Sequence, residues 1–360
     1  MTEWQLKLAD RQTNILIEIN ASQHLFDQLV SLKGHQVLLL TDEHIAPLHL
    51  QRMQQQLSQY CQVVPVVLPA GEATKNLDQV KQLYTILMQH QFTRTDAIVA
   101  LGGGVIGDLG ALIASTYMRG MTLVQVPTTI IAQSDSSIGG KTAIDFQGIK
   151  NLIGTFYPAQ TVIVDPKLLL TLPKRDLAAG MVEIIKCLLI SSRQPEDAQL
   201  LEQLLLATKS SVRLSLDLLA VLVTRGLQIK SALVSRDFYD YKERRYLNFG
   251  HTIGHAVEAL AQGDLLHGEA VGIGMIALMR AAVDHHELPL NTLVMTETLF
   301  KQLALPTEIP RTISHEAILA RTRLDKKADD HGLTLVKIND VGQPFLVPMT
   351  HAAFKKWLGW

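Results

Sequence analysis

"DAIVALGGGVIGDLGALIAS", residues 96–115, reads as a strand, a glycine turn and a helix. Gly102, Gly104 and Gly107 fit the spacing G-x-G-x-x-G. Glycines there permit a tight turn and let backbone N–H groups come close to phosphate oxygens. The helix N-terminus behind them adds the positive end of its dipole. Such a turn can also join strand to helix without any ligand. Here the required strand and helix flank it, so the stretch is read as a nucleotide site. In the usual dinucleotide fingerprint an acidic residue further along holds the ribose. The next strand, "LVQVPTT", ends instead in Thr128 and Thr129. Asp42, closing the earlier run "LLLTDE", is the candidate for the ribose, and a departure from the standard strand order is expected.

Outward from this turn, short β-rich runs at 36–40, 63–68, 97–101, 122–126 and 161–165 alternate with helical patterns such as 75–91. That alternation argues a parallel sheet with crossover helices. After Pro173 the chain reads as long helical segments, and 333–349 carries a hairpin's turn signal between apolar runs. The expected class is α/β. A Rossmann-like nucleotide-binding domain with a parallel sheet (1–173) precedes a mainly α-helical metal- and substrate-binding domain (174–360), with a cleft between them. The 360 residues are 47% apolar and 19% charged, enough for a substantial core. A formal net charge of −1 argues against a nucleic-acid or membrane-surface partner. Two cysteines, Cys61 and Cys187, exclude a disulfide framework and suit a reducing cytoplasm. The N-terminal sequence shows no secretory signal pattern. The apolar run 270–279 has half of the ~20 residues a membrane span needs, and reads as a buried helix.

Three further stretches carry chemistry. In "SDSSIGGKTAIDFQGIKNLIG" (134–154), Lys141 and Lys150 lie among small polar residues, with Asn151 and Asp135 close by. They are either solvated loop lysines or a cradle for a phosphorylated or carboxylated substrate. "LAAGMVEIIKCLLI" (177–190) is apolar nearly all round at helical spacing, with Glu183 and Lys186 as its only charges, three apart on one face. A carboxylate there needs a cation: either the lysine alone, or a metal with the lysine turned to substrate. Finally, "FGHTIGHAVEALAQGDLLHGEA" (249–270) places His251 and His255 one helical turn apart and adds His267. With Glu183 these suffice for a zinc site that keeps an open position. Arg244 and Asn248 in "ERRYLNFGH" could bind a carboxylate and a hydroxyl.

Taken in order, "PAGEATK", "GGGVIGD", "VPTT", "DSSIGGKTAID", "KNLIG", "AGMVEIIK", "LNFGHTIGHAVE", "HGEAV" and "LDKKAD" resemble the 3-dehydroquinate synthase family over essentially the whole chain. The resemblance implies a lyase of the shikimate pathway. It would convert 3-deoxy-D-arabino-heptulosonate 7-phosphate to 3-dehydroquinate and phosphate, using NAD and a divalent metal, Zn or Co. The implied course is transient oxidation, β-elimination of phosphate, reduction, ring opening and an intramolecular aldol closure.

By the same resemblance Glu183, His251 and His267 would be the metal ligands, and His255 would face substrate and proton transfer. NAD would be touched by Gly71, Glu72, Lys75, Gly104, Val105, Ile106, Gly107, Asp108, Thr128, Thr129 and Thr171, with Lys141 and Lys150 reaching both ligands. Lys141, Lys150, Asn151, Lys186, Lys230, Arg244, Asn248 and one of Lys326 and Lys327 would line the substrate pocket, with Asp135 at its junction with the nucleotide. Lys141, Lys186, Arg244, Asn248 and His255 would serve catalysis. A cytoplasmic homodimer is expected, with a small sugar phosphate as its partner. Three positions depart from the family pattern: Ile149 stands where glycine is common, and "DFYDYKERR" places Asp240 and Lys242 where a glutamate and a glycine are expected. The alternatives are another sugar phosphate cyclase, a metal-dependent polyol or alcohol dehydrogenase, and a non-catalytic nucleotide- and metal-binding regulator.

Overall fold

The computed structural model describes residues 2–9, 11–24, 29–191, 194–210, 214–323 and 332–360. The chain forms two compact units. One comprises Met1–Leu172 with Leu216–Tyr239, the other Pro173–Ser215 with Asp240–Trp360.

The first unit is built on a sheet. Strands β1 (Thr2–Leu8) and β2 (Arg11–Ile17) form an antiparallel hairpin. There follow β3 (Gln36–Asp42), α1 (Gln51–Leu57), β4 (Gln62–Leu68), α2 (Leu77–Gln89), β5 (Ala97–Gly102), α3 (Gly104–Thr116) and β6 (Thr122–Pro127). A second hairpin, β7 (Ile144–Phe146) with β8 (Ile149–Ile153), precedes β9 (Thr161–Val164). Among the described residues the main sheet runs β1-β2-β9-β6-β5-β3-β4, parallel except between β1 and β2. The first hairpin has no long apolar run to announce it, because β1 is an exposed edge strand that buries only Leu6 and Leu8.

Counting β3, β4, β5, β6 and β9 as one to five, the order is 2-1-3-4-5. This is the flavodoxin-like winding, whose topological switch point lies between its first and third strands. Those strands are β3 and β5, with Leu40 opposite Ala100, so Asp42 and the glycine turn emerge side by side at their C-terminal ends. Open α/β sheets bind ligands in that crevice. The strands are apolar on both faces because both are covered. Val37, Leu39, Val99 and Val124 pack with Met53 and Leu57 of α1. On the opposite face α3 lies so close that a Cβ on Gly110 would stand 3.1 Å from Ala100 Cβ.

The second unit is mainly helical: α4 (Lys174–Ile190), α5 (Pro195–Ser210), α7 (His251–Leu260), α8 (His267–Asp284), α9 (Leu290–Gln302), α10 (His315–Thr322) and α11 (His351–Leu358), with a hairpin β10 (Leu333–Ile338) and β11 (Pro344–Met349). Helix α6 (Leu216–Arg236) follows α5 in sequence but packs in the first unit, against β1 and the turns Ala132–Ser136 and Pro166–Thr171. Among the described residues α6 is the helix long and apolar enough to cross a membrane. Its Leu219, Leu222, Val223 and Leu227 are instead buried in the protein.

Candidate functional site

Helix α4 is buried along nearly its whole length, as its all-round apolar sequence requires, and it carries Glu183 and Lys186 inside, 2% and 1% exposed. One carboxylate oxygen of Glu183, Oε2, accepts a hydrogen bond from Lys186 Nζ. The other, Oε1, is buried with no hydrogen-bond partner. It lies 3.7 Å from His251 Nε2 and 3.6 Å from His267 Nε2. These separations are too long for hydrogen bonds. Two ligands each about 2.1 Å from one tetrahedral ion stand about 3.4 Å apart. An orphaned buried oxygen with two imidazole nitrogens at this spacing, and donors of oxygen and nitrogen type, fits a zinc-like divalent ion.

Packing explains why a glycine precedes each of the first two histidines. A Cβ on Gly254 would stand 2.8 Å from Val271 Cα, and one on Gly274 would stand 2.1 Å from the Gly250 carbonyl oxygen. Gly250, at φ +80°, also needs its left-handed conformation. Helices α7 and α8 therefore touch backbone to backbone through these glycines. Gly268 lies as close to α4, since its Cβ would stand 1.9 Å from the Ala179 carbonyl oxygen. The result brings three histidines together, with ligand nitrogens within 4.8 Å of one another and His251–His255 ring centroids 5.1 Å apart.

Both rings nearest Glu183 have their other nitrogen engaged. His251 Nδ1 donates to the Phe249 carbonyl at 3.1 Å, and His267 Nδ1 donates to Glu258 Oε2 at 2.9 Å. Burial and the Lys186 ammonium hold the His251 imidazole well below its usual pKa, hence neutral as a ligand must be. Burial would raise Glu183, but Lys186 and the two histidines outweigh it and keep the carboxylate ionised. Burial would lower His267, yet the neighbouring carboxylates of Glu183 and Glu258 lift it to about 10. The His267 proton thus adds to the positive charge that Lys186 already places beside Glu183. Glu258 was not anticipated from the sequence. It lies seven residues after His251 and three after His255, so it shares their face of α7. Its partner, however, belongs to another helix.

Arg244 and Asn248 sit on the short helix Glu243–Asn248, which packs against α4 and leads into α7, and Arg244 is buried. The left-handed position in this stretch is Asp240, at φ 65°. Likewise Gly148, at φ +78°, makes the turn that frees position 149 to be isoleucine.

In the first unit, the N-terminus of α3 opens after Gly103 with no side-chain cap, leaving first-turn N–H groups for a ligand. Ile106 is buried and packs into the space beside Gly102, so at that position only backbone is available to a nucleotide. The Thr128 amide donates to the Gly102 carbonyl at 3.0 Å, and the buried Thr128 Oγ1 has no partner. A cradle that a Cβ would narrow and an unpartnered hydroxyl beside it fit a nucleotide phosphate. Thr129 Oγ1 accepts from the Ala132 amide, and Asp42 Oδ1 accepts from the amides of His44 and Ile45. Thr171 Oγ1 is 3.2 Å from His49 Nε2.

Lys75, 3% exposed, joins several expected residues. Its Nζ lies 3.0 Å from Asp108 Oδ2 and 3.1 Å from Glu72 Oε1, and donates to Asn151 Oδ1. Burial would lower the Lys75 pKa, but Asp108 and Glu72 raise it, so the ammonium is retained. Gly71, just before, has φ +100°. Lys150 and Asn151 do not lie on a loop, as their composition suggested, but on the exposed strand β8. Asp145 of β7 accepts from the Asn151 amide, and the Asp145 amide donates to the Lys75 carbonyl. Lys141 is exposed and bridges to Phe156, after two left-handed glycines, Gly139 and Gly140. Lys230 on α6 donates to the Asp135 carbonyl and pairs with its carboxylate, both at 2.7 Å. Lys326 and Lys327 lie outside the described residues.

A glycine turn at the switch point of a doubly wound sheet and a buried glutamate–histidine cluster in a helical unit define a nucleotide- and metal-dependent enzyme. Comparison with known proteins narrows the class. Residues 65–179 match the 3-dehydroquinate synthase N-terminal family model and 180–328 the C-terminal one. The chain is 39% identical over 361 residues to 3-dehydroquinate synthase of Lactiplantibacillus plantarum, covering 100% of this chain and 98% of that one. Among solved structures it resembles 2-deoxy-scyllo-inosose synthase, complexed with carbaglucose-6-phosphate, NAD⁺ and Co²⁺ (27% identity, TM-score 0.87, 99% of each chain). It also resembles 2-epi-5-epi-valiolone synthase of Streptomyces hygroscopicus with NAD⁺ and Zn²⁺ bound (26% identity, TM-score 0.85, 99% of this chain and 98% of that one). The chain belongs to the 3-dehydroquinate synthase family.

Proposed function

We propose that this protein is a 3-dehydroquinate synthase, a lyase that converts 3-deoxy-D-arabino-heptulosonate 7-phosphate to 3-dehydroquinate and phosphate in the shikimate pathway. The observation that carries the reading is the buried Glu183 oxygen facing His251 and His267, in a chain that belongs to this family. When bound, NAD supplies a reversible hydride acceptor and the divalent ion a Lewis acid for the substrate hydroxyls.

The chain's own groups do the rest. Glu183, His251 and His267 would hold the ion. The α3 N-terminus, Thr128 and the network around Lys75 would hold the nucleotide. Lys186 keeps Glu183 ionised and places a second positive charge beside it. The ammonium groups of Lys141, Lys150 and Lys230, with Arg244, suit the phosphate and carboxylate of the substrate. Asn151 and Asn248 offer amides to its hydroxyls. His255 is assigned to the substrate and to proton transfer rather than to the ion. The phosphate being expelled can itself take the acidic proton beside the transient ketone, so no strong protein base is required.

We further place the enzyme in the cytoplasm as a homodimer. A content of two cysteines in 360 residues supports a reducing compartment, and sedimentation would test the dimer. Release of inorganic phosphate from the heptulosonate phosphate, with equimolar 3-dehydroquinate, is the deciding assay. A second reading, a sibling sugar phosphate cyclase, is favoured by the fold likeness to the inosose synthase. Turnover of a competing sugar phosphate in place of the heptulosonate would select it.

A further inference from the structure

Glu258 has no part in the roles above, yet its carboxylate meets one of the metal-site imidazoles. A carboxylate can only accept, so His267 must carry its proton on Nδ1, the atom 2.9 Å from Glu258 Oε2. That leaves Nε2 to face the Glu183 oxygen 3.6 Å away. His251 is oriented the same way by other means. Its Nδ1 donates to the Phe249 carbonyl, and its Nε2 faces the same oxygen at 3.7 Å. Two histidines on two helices thus present the same nitrogen to one buried atom. For His251 the orienting acceptor is backbone. For His267 it is a side chain that also carries negative charge, and a carboxylate behind a ligating imidazole makes the metal-facing nitrogen a stronger donor.

We propose that Glu258 is a positioning residue of the metal centre. It fixes the tautomer and orientation of His267 and strengthens Nε2 as a ligand. The proposal rests on the reading of Glu183, His251 and His267 as the holders of a divalent ion. The rival role is a strut between α7 and α8. Those helices already meet backbone to backbone at Gly250, Gly254 and Gly274, so the bond is not needed to join them. At 16% exposure the Glu258 side chain is also better sheltered than the His267 ring, at 35%. Water therefore competes poorly for this hydrogen bond.

The test is Zn²⁺ affinity by competition with a chromophoric chelator for the full-length wild type, Glu258→Ala, Glu258→Gln and His267→Ala. The visible spectrum of the Co²⁺ form and the thermal melt of the metal-free form are recorded alongside. Glu258→Ala is expected to bind Zn²⁺ about 10–100-fold more weakly, the usual effect of removing such a partner. Its Co²⁺ spectrum should change and its metal-free melt should stay near wild type. The isosteric Glu258→Gln, which loses the charge and can turn an N–H toward the ring, should weaken binding in the same direction. If Glu258→Ala does not fold, Glu258→Gln decides alone. Wild-type affinity and spectrum in the folded variants overturn the proposal. So does weaker binding accompanied by a lower metal-free melt and an unchanged Co²⁺ spectrum, which marks a strut. Wild-type affinity in His267→Ala, or no Zn²⁺ bound by the wild type, defeats the metal reading itself and the proposal with it.

Discussion

Glu183 is shared by a lysine at one oxygen and two imidazoles at the other, and each neighbour can be removed separately. Glu183→Gln keeps the shape, removes the charge and takes from the buried Lys186 ammonium the carboxylate it is bonded to. Bound metal should be lost, and unfolding in urea should show a destabilisation of about 3–5 kcal/mol, as when one member of a buried pair is deleted. His251 and His255 lie one turn apart, and the geometry brings both into the cluster. His251→Ala is expected to lose the metal, whereas His255→Ala should keep it and lose roughly 10²–10⁴-fold in kcat. Metal content of the two purified variants is the check, and a folded, metal-free His255→Ala contradicts the assignment. His267 brings a pH dependence. Its folded pKa of about 10 stands above the ordinary histidine value of 6.5. The stability it contributes to the metal-free protein is therefore fully present below about pH 6.5 and lost as pH rises through about 10. A metal must displace that proton, so apparent Zn²⁺ affinity should rise up to about tenfold per pH unit between about pH 7 and 9. Calorimetry in buffers of different ionisation enthalpy would register the released proton, and a flat affinity would refute the coupling.

Among the elements, α7 and α8 set the precision of the cluster. The sequence shows a glycine before His251 and another before His255 but not their purpose, because the partner backbone lies on a different helix. Gly254→Ala would place a Cβ 2.8 Å from Val271 Cα, a contact that only movement of a helix can relieve. Overpacking of this kind costs about 1–3 kcal/mol. The spread should also move His251 away from Glu183, so both melting temperature and Zn²⁺ affinity are expected to fall. A variant that loses stability but binds Zn²⁺ like the wild type would separate helix contact from metal geometry. Helix α4 was the most legible element of the second unit. Its run of apolar residues with two charges three apart announces a buried helix with an internal ion pair. The glycine turn was equally clear, because strand, turn and helix are consecutive in the chain.

At the scale of the whole molecule the proposed chemistry is redox-neutral, and that property can be measured. Turnover should require NAD, yet absorbance at the NADH band should not grow with product. Chelation should stop phosphate release, and Zn²⁺ or Co²⁺ should restore it. NADH formed in proportion to product would mark dehydrogenase chemistry on the same fold, and full activity after verified metal removal would defeat the metal assignment. The fold does not make this distinction by itself, since one architecture serves several chemistries and function resides in the groups grafted onto it.

The amino-acid sequence by itself determined the strands β3, β4, β5, β6 and β9, the hairpin near the C-terminus, the buried helix α4 and the membership of the histidine cluster. Each depends on residues near one another in the chain, where apolar period, turn chemistry and ligand spacing are directly visible. Tertiary structure alone decided the 2-1-3-4-5 strand order, the packing of α6 in the first unit, the bond from Lys75 to Asn151 on an exposed hairpin and the bond from Glu258 to His267. These are contacts between elements far apart in sequence. They depend on which faces the folded helices and strands turn toward each other, and no local pattern of residues encodes the identity of the partner across the gap.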